Sequence, residues 1–303
     1  MGKIAFVFAG QGAQAPGMGH GFYESSEAAK KVFEAADVVR PKTSEQCFNG
    51  TDEELQITKN TQPCLYTVEM AIAAAVGEAG IKADITAGFS LGELSALTYA
   101  GVFSLEEGLK IVKARGELMQ QAAEQHNTSM AAVMKLSEDD VVRICSGYEH
   151  VYPVNFNCPG QISVSGDADE MLSFADAVKE AGGRAKVLKV NGAFHSPYMT
   201  EAAQGFAQVI EPIKFKSASM PIYSDFTGVK YSDDNMKNTL SSQINNPVKW
   251  ETIIRNMIAE GVDTFIELGP GKTLCGLIKR ISTEVRLFNV AVPEDLEKLK
   301  AEL

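Results

Sequence analysis

With 303 residues, 45% of them hydrophobic and 22% charged, the chain has the size and balance of a globular protein with one large core, or one core plus a smaller domain. Acidic side chains outnumber basic ones 39 to 28, and the formal charge of −11 sets the molecule against nucleic acid and anionic membranes as partners. Five scattered cysteines without a C-x-x-C pair read as reduced thiols of a cytoplasmic protein rather than a disulfide framework or a zinc site, and no stretch approaches the roughly 20 apolar residues of a membrane span.

In chain order, "KIAFVF" (3–8) is a buried-strand pattern, too short for a signal peptide, that runs into the glycine-punctuated loop "AGQGAQAPGMG". Helical patterns follow at about 24–38 and 61–79, the second opening at "TQP". "ITAGF" (85–89) is the next strand, and "LGELSALTYAG" continues as a helix. The stretch 104–125 is a long amphipathic helix, with Ser104 as its N-cap and Glu107 three residues on. Strands alternating with helices imply a mostly parallel, helix-covered sheet.

From 129 to 191 the pattern changes. "MAAVMKL" is a strand, "SEDDVVRICSGY" a helix opened by Ser137, and "VYPVNFNCPGQISVSG" two strands around a Pro-Gly turn. "DADEMLSFADAVKEAGG" is a helix, and "RAKVLKV" (184–190) a final strand. The order β-α-β-β-α-β is ferredoxin-like. The expected architecture is therefore α/β, with a discontinuous large domain (1–126 and 194–303) and an inserted ferredoxin-like subdomain (127–193). In the returning segment, "ELGPGKTL" suggests a phosphate loop, but that pattern requires a glycine five residues before Gly271, where the chain has Ile266. A tight strand-to-helix turn is the expected reading.

"GFSLGE" (88–93) holds Ser90 between two glycines at a strand–turn–helix junction, the pattern of a nucleophile elbow. The alternative is a small residue in a tight turn. The helix that follows points N–H groups and its positive dipole end at any oxyanion formed there. Such a site takes one oxyanion donor from the residue after the nucleophile, here Leu91, and one from another loop, for which Gln11 in "FAGQG" is the candidate. A serine needs a base. Of four histidines, His195 alone closes an apolar stretch, "VNGAF", ahead of Pro197, whereas His20, His126 and His150 lie in loop, helix-end and surface contexts. A structural, hydrogen-bonded histidine is the competing reading. Arg115 has Ile111, Val112, Leu118 and Met119 as its helical neighbours, which places it in the core-facing stripe. An inward guanidinium needs an anionic partner, either a structural carboxylate or the carboxylate of a substrate.

The chain resembles the malonyl-CoA:acyl carrier protein transacylases of fatty acid synthesis and the related acyltransferase domains of polyketide synthases. The resemblance rests on "FAGQGAQ" (8–14), "TQPCLYTVEMAI" (61–72), "GFSLGE", "KARGELMQ" (113–120), "NFNCPGQISVSG" (155–166), "GAFHSPYM" (192–199), "NPVKW" (246–250) and "IELGPGKTL" (266–274), in that order along the chain. It implies an α/β-hydrolase-like large domain, an acylated Ser90, His195 as base, Arg115 as holder of the malonyl carboxylate, and an oxyanion hole from the backbone N–H groups of Gln11 and Leu91. It implies Phe194 beside the acyl group, in space that an α-methyl branch would require. The histidine is expected to be oriented by main-chain carbonyls near Lys249. Malonyl-CoA and acyl carrier protein are the implied substrates, with no metal or redox cofactor, and a monomer is expected. Two positions depart from the family pattern: Phe89 stands where histidine is common, and Lys249 where some members carry glutamine. A serine thioesterase or esterase with the same Ser–His core, a trans-acting polyketide acyltransferase, and a non-catalytic carrier-binding scaffold are the alternatives. Lys186, Lys189, Lys279 and Arg280 are candidate contacts for an acidic carrier protein, against the plainer reading of solvated surface.

Overall fold

The computed structural model describes residues 2–188 and 192–303. Nine strands are present among them: β1 (Lys3–Phe8), β2 (Ile85–Gly88), β3 (Thr128–Met134), β4 (Val151–Cys158), β5 (Gln161–Asp167), β6 (Arg184–Val187), β7 (Ile222–Tyr223), β8 (Val262–Leu268) and β9 (Arg286–Val290). One sheet has the order β7-β2-β1-β8-β9, with every pairing parallel. The chain after 194 thus returns to the sheet begun by β1 and β2.

The continuous apolar run of β1 follows from burial on both faces, as a central parallel strand requires. Its side chains alternate between two cores: Phe6 and Phe8 pack with the helices Thr58–Glu78 and Leu105–Glu124, whereas Ala5 and Val7 pack with Trp250–Ala259 and Thr273–Ile281. The result is a parallel sheet covered by helices on both faces.

The second sheet is antiparallel, in the order β4-β5-β3-β6, with the helices Glu138–Cys145 and Ala168–Glu180 over a core of their own that includes Val133, Val164 and Phe174. This is the ferredoxin-like arrangement expected from the element order. Its edge strand β4 is tied to the rest of the chain at Val248, whose N–H donates to Val154 O (2.9 Å) and whose carbonyl accepts from Phe156 N (2.8 Å).

Several boundaries differ from the sequence reading. The helix expected over 24–38 is two helices, His20–Ser25 and Glu27–Val39, because Ser26 is extended and caps the second by accepting from Ala29 N (3.2 Å). The helix expected to open at "TQP" begins three residues earlier, at Thr58, and runs through Pro63. The Thr58 N–H, at the helix start, donates to Gln120 Oε1 (2.9 Å), a group that local sequence does not reveal. The strand expected over 184–190 is assigned to 184–187, and Lys189 to Asn191 lie outside the described residues. The "GPGKT" turn is the structural one. The N–H groups of Leu274 and Cys275, which a phosphate loop would aim at its ligand, donate to the Glu267 carboxylate.

Candidate active site

Ser90 lies just past the carboxyl end of β2, where ligands of parallel α/β sheets gather. Its φ of 53° is left-handed, an uncommon conformation for a residue with a side chain. The flanking glycines are needed for approach. A Cβ on Gly88 would stand 1.9 Å from the Gly92 carbonyl carbon, and one on Gly92 would stand 2.1 Å from Phe8 O. The backbone on both sides of Ser90 is gripped by buried side chains: its N–H donates to Asp225 Oδ2 (2.6 Å), and its carbonyl accepts from Gln243 Nε2 (2.7 Å). Such anchoring holds a strained conformation that costs about 1–3 kcal/mol.

His195 also has a left-handed backbone, with φ 60°, and it is buried. Its Nε2 lies 2.8 Å from Ser90 Oγ, and its Nδ1 lies 2.9 Å from the Gln243 carbonyl oxygen. A carbonyl only accepts, so Nδ1 carries the proton and Nε2 presents its lone pair to the serine hydroxyl. Burial, then the Arg115 charge, pull the His195 pKa down to about 4, while the carbonyls of Gln243 and Asn246 oppose the fall. The imidazole is therefore neutral at pH 7. The orienting group is a main-chain carbonyl, as expected for the stretch near Lys249, and it comes from Gln243, six residues before that lysine. Lys249 instead donates its backbone N–H to Asp225 O (2.6 Å) and sets its ammonium over the Phe226 ring. Phe89 packs edge-on against Trp250, with ring centroids 5.6 Å apart.

Arg115 is fully buried, as its place in the apolar stripe predicts. The anionic partner expected for it is not in direct contact. Among the described residues, Nη1 donates to Gln62 Oε1 (2.9 Å), and Nη2 to Gln243 Oε1 (2.6 Å) and Ser90 Oγ (3.2 Å). Negative charge sits one layer further in, on Glu93 and Asp225, and opposes the burial that pulls the guanidinium down to about 10. Arg115 therefore remains cationic at neutral pH, held by two neutral carboxamides that a carboxylate can outcompete.

Gln11 and Leu91 meet at the same place. Both line a cavity of about 260 Å³ that also exposes Ser90, Phe89, Phe194 and His195. Among the described residues neither the Gln11 nor the Leu91 backbone N–H has an acceptor. The opposite wall comes from the antiparallel sheet, including Met130, Asn155 and Asn157. The cavity thus lies between the two sheets, at the carboxyl ends of β1, β2 and β8. Of the basic side chains considered for carrier contacts, Lys186 and Lys279 are exposed, and Arg280 bonds Gln161 Oε1 and Pro159 O. Lys189 lies outside the described residues.

Gln243, Glu93 and Asp225 were not singled out by the sequence. Gln243 touches all three predicted residues, through its carbonyl to the His195 ring and through its carboxamide to the Arg115 guanidinium and the Ser90 backbone. Glu93 carried one signal, the single charge in the stretch "GELSAL" (92–97). Gln243 and Asp225 carried none.

A serine hydroxyl aligned on a neutral imidazole, beside free backbone donors and a guanidinium with no carboxylate in direct contact among the described residues, can form an ester with an acyl group that bears its own carboxylate. Comparison with known proteins agrees with this chemistry. Residues 5–291 match the family described as acyl transferase domain. The chain is 40% identical over 304 residues to the malonyl CoA-acyl carrier protein transacylase of Bacillus subtilis (strain 168), covering 98% of this chain and 96% of that protein. The crystal structure of the malonyl CoA-acyl carrier protein transacylase from Clostridium perfringens superposes with a TM-score of 0.95 at 38% identity, over 99% of this chain and 96% of that one. A malonyl-transacylase solved in complex with its type II polyketide synthase acyl-carrier protein is similar at 32% identity and a TM-score of 0.95, over 99% of this chain and 100% of that one. The resemblance drawn from the motifs is borne out, and the chain belongs to the acyl transferase family.

Proposed function

We propose that this protein transfers the malonyl group of malonyl-CoA to the phosphopantetheine thiol of an acyl carrier protein, through a malonyl ester on Ser90, and so supplies the extender unit for fatty acid synthesis. The observation that carries the reading is the Arg115 guanidinium placed 3.2 Å from the hydroxyl that His195 aligns. An arginine there is of use to an acyl group with a distal carboxylate and of none to a simple one.

In the acylation half, His195 Nε2 takes the Ser90 proton as Oγ attacks the thioester carbon. The oxyanion is received by the N–H groups of Gln11 and Leu91, and loss of one such donor costs about 100- to 1,000-fold in comparable sites. The C–S bond breaks, and the CoA sulfur leaves with the proton from His195. In the second half the phosphopantetheine thiol gives its proton to His195, sulfur attacks the ester, and Ser90 recovers its hydroxyl. The substrate carboxylate displaces Ser90 Oγ from Arg115 Nη2 and offsets the guanidinium charge that depresses His195, so docking of the substrate strengthens the base. Phe194, in the cavity wall, is the side chain that would fill the space an α-methyl branch requires. The chemistry draws on side chains and backbone donors alone, without a metal or redox cofactor.

Intact-protein mass spectrometry after mixing with malonyl-CoA tests the reading. A malonyl adduct is expected on the wild type, lost in Ser90→Ala and discharged by acyl carrier protein bearing phosphopantetheine. Free malonate without carrier acylation would make the protein a hydrolase instead.

A further inference from the structure

Beneath Ser90 lie two carboxyl groups that the transfer reaction does not use. Glu93, on the helix Gly92–Tyr99, and Asp225, in the loop after β7, are both fully buried. Among the described residues neither has a cation within ion-pair distance. Gln243 Nε2 donates to both, to Glu93 Oε2 at 2.8 Å and to Asp225 Oδ2 at 3.3 Å. Asp225 N donates to Glu93 Oε1 (3.0 Å), as does the Tyr231 hydroxyl (2.9 Å). Asp225 Oδ1 is buried and has no hydrogen-bond donor among the described residues, which disfavours the ionised form of that carboxyl. Two buried carboxyls that share one carboxamide donor oppose each other's ionisation, so the pair holds one proton. Burial and the neighbouring Glu93 charge push the Asp225 pKa well up; burial also raises Glu93, against hydrogen bonds that include one from Asp225.

The groups that face this pair are Arg115 from the helix Leu105–Glu124, Tyr231, and His195 across Ser90. With one proton, the pair carries a single negative charge against the single positive charge of Arg115, and the buried site is neutral. A malonyl carboxylate on Arg115 adds a second negative charge in a place where net charge is costly.

We propose that Glu93 and Asp225 form a proton-accepting counter-charge to Arg115, which takes up one proton when a carboxylate-bearing acyl group binds and makes that binding selective over an uncharged acyl group. This rests on the malonyl-transfer reading. A second proton on the pair restores neutrality, while the Ser90 N–H keeps Asp225 Oδ2 as acceptor. Lower pH therefore favours the carboxylated donor.

The test uses Ser90→Ala, which binds without reacting, with malonyl-CoA and acetyl-CoA as probes; the two share the same CoA phosphates, so phosphate titration cancels between them. Calorimetry in buffers of different ionisation enthalpy should show uptake approaching one proton for malonyl-CoA and none in excess for acetyl-CoA. The ratio of the malonyl-CoA to the acetyl-CoA dissociation constant should rise with pH, by up to about tenfold per unit. In Ser90→Ala/Glu93→Gln/Asp225→Asn the excess uptake and the pH slope should vanish. Should that variant not fold, infrared difference spectra of Ser90→Ala should still show a protonated-carboxyl band that grows with malonyl-CoA and not with acetyl-CoA. Zero excess uptake, or uptake that survives the carboxamide variant and so belongs to His195, would overturn the proposal. Failure of the functional reading is a separate outcome, seen as no malonyl adduct on wild-type Ser90.

Discussion

Ser90 and His195 share an uncommon backbone state, and each is held in it by groups that come from far along the chain. That arrangement keeps the hydroxyl and imidazole aligned before substrate arrives. Because burial and the Arg115 charge hold the His195 pKa near 4, the imidazole is a free base over most of the accessible pH range. The sign follows directly: a depressed pKa means that activity is lost only when pH falls through that value. With acetyl-CoA as donor, which has no acyl carboxylate to titrate, the acid limb of kcat/KM should lie near pH 4. A limb near 6.5, the ordinary histidine value, would show that the imidazole is not held neutral. Arg115→Ala should lower kcat/KM for malonyl-CoA by ~100-fold or more, as loss of a buried charge-assisted contact does, and for acetyl-CoA by far less. Equal losses for both donors would remove the carboxylate-holding role.

At the level of elements, the site depends on two junctions. The helix Leu105–Glu124 carries Arg115 inward, and its start is set by a capping box in which Ser104 Oγ accepts from Glu107 N (3.2 Å) and Glu107 Oε2 accepts from Ser104 N (2.9 Å). Ser104→Ala should cost about 1 kcal/mol in urea unfolding and leave the acyl preference unchanged, since the cap is remote from the guanidinium. The other junction is the turn from β2 into Gly92–Tyr99. There a new Cβ on Gly92 would collide with the Phe8 and Ala9 backbone, which has no flexible end to yield. Gly92→Ala should destabilise by more than about 3 kcal/mol, or leave little folded protein, whereas Gly276→Ala, with open space around it, serves as the tolerant control. Urea midpoints that match for the two variants would contradict the close-approach account of the elbow.

On the scale of the whole molecule, the cavity exists because two sheets built from different stretches of chain face one another. No helix among the described residues is long and apolar enough to cross a membrane. The antiparallel sheet is tied to the rest of the chain by main-chain hydrogen bonds from β4 to Val248, just before the helix Trp250–Ala259, and by a core in which Cys158 of β4 packs with Trp250 and Ile254. Trp250, the single tryptophan, is fully buried at this junction. Its fluorescence should therefore report the same urea midpoint as far-ultraviolet circular dichroism. Two separated midpoints would show that the antiparallel sheet unfolds on its own.

What the sequence alone determined is what a few neighbouring residues encode. The β1 run, the Ser104 and Ser137 caps, the β-α-β-β-α-β order, the Ser90 elbow and the inward stripe of Arg115 were all legible, because periodicity, capping and close glycine spacing act over one or two turns of chain. His195 was legible by elimination among four histidines. The partners of these residues were decided by tertiary structure. His195 meets Ser90 across 105 residues, and Gln243 meets the Ser90 carbonyl across 153. Gln243 looks like any polar residue in a short helix, and the expectation of main-chain carbonyls near Lys249 gave the kind of group that orients His195 but not the residue. Asp225 sits in a loop with nothing to mark it until the fold buries it under Ser90 beside Glu93. Local sequence dictates which way a side chain leaves its own element. The group it meets there depends on where distant segments come to rest in the folded interior.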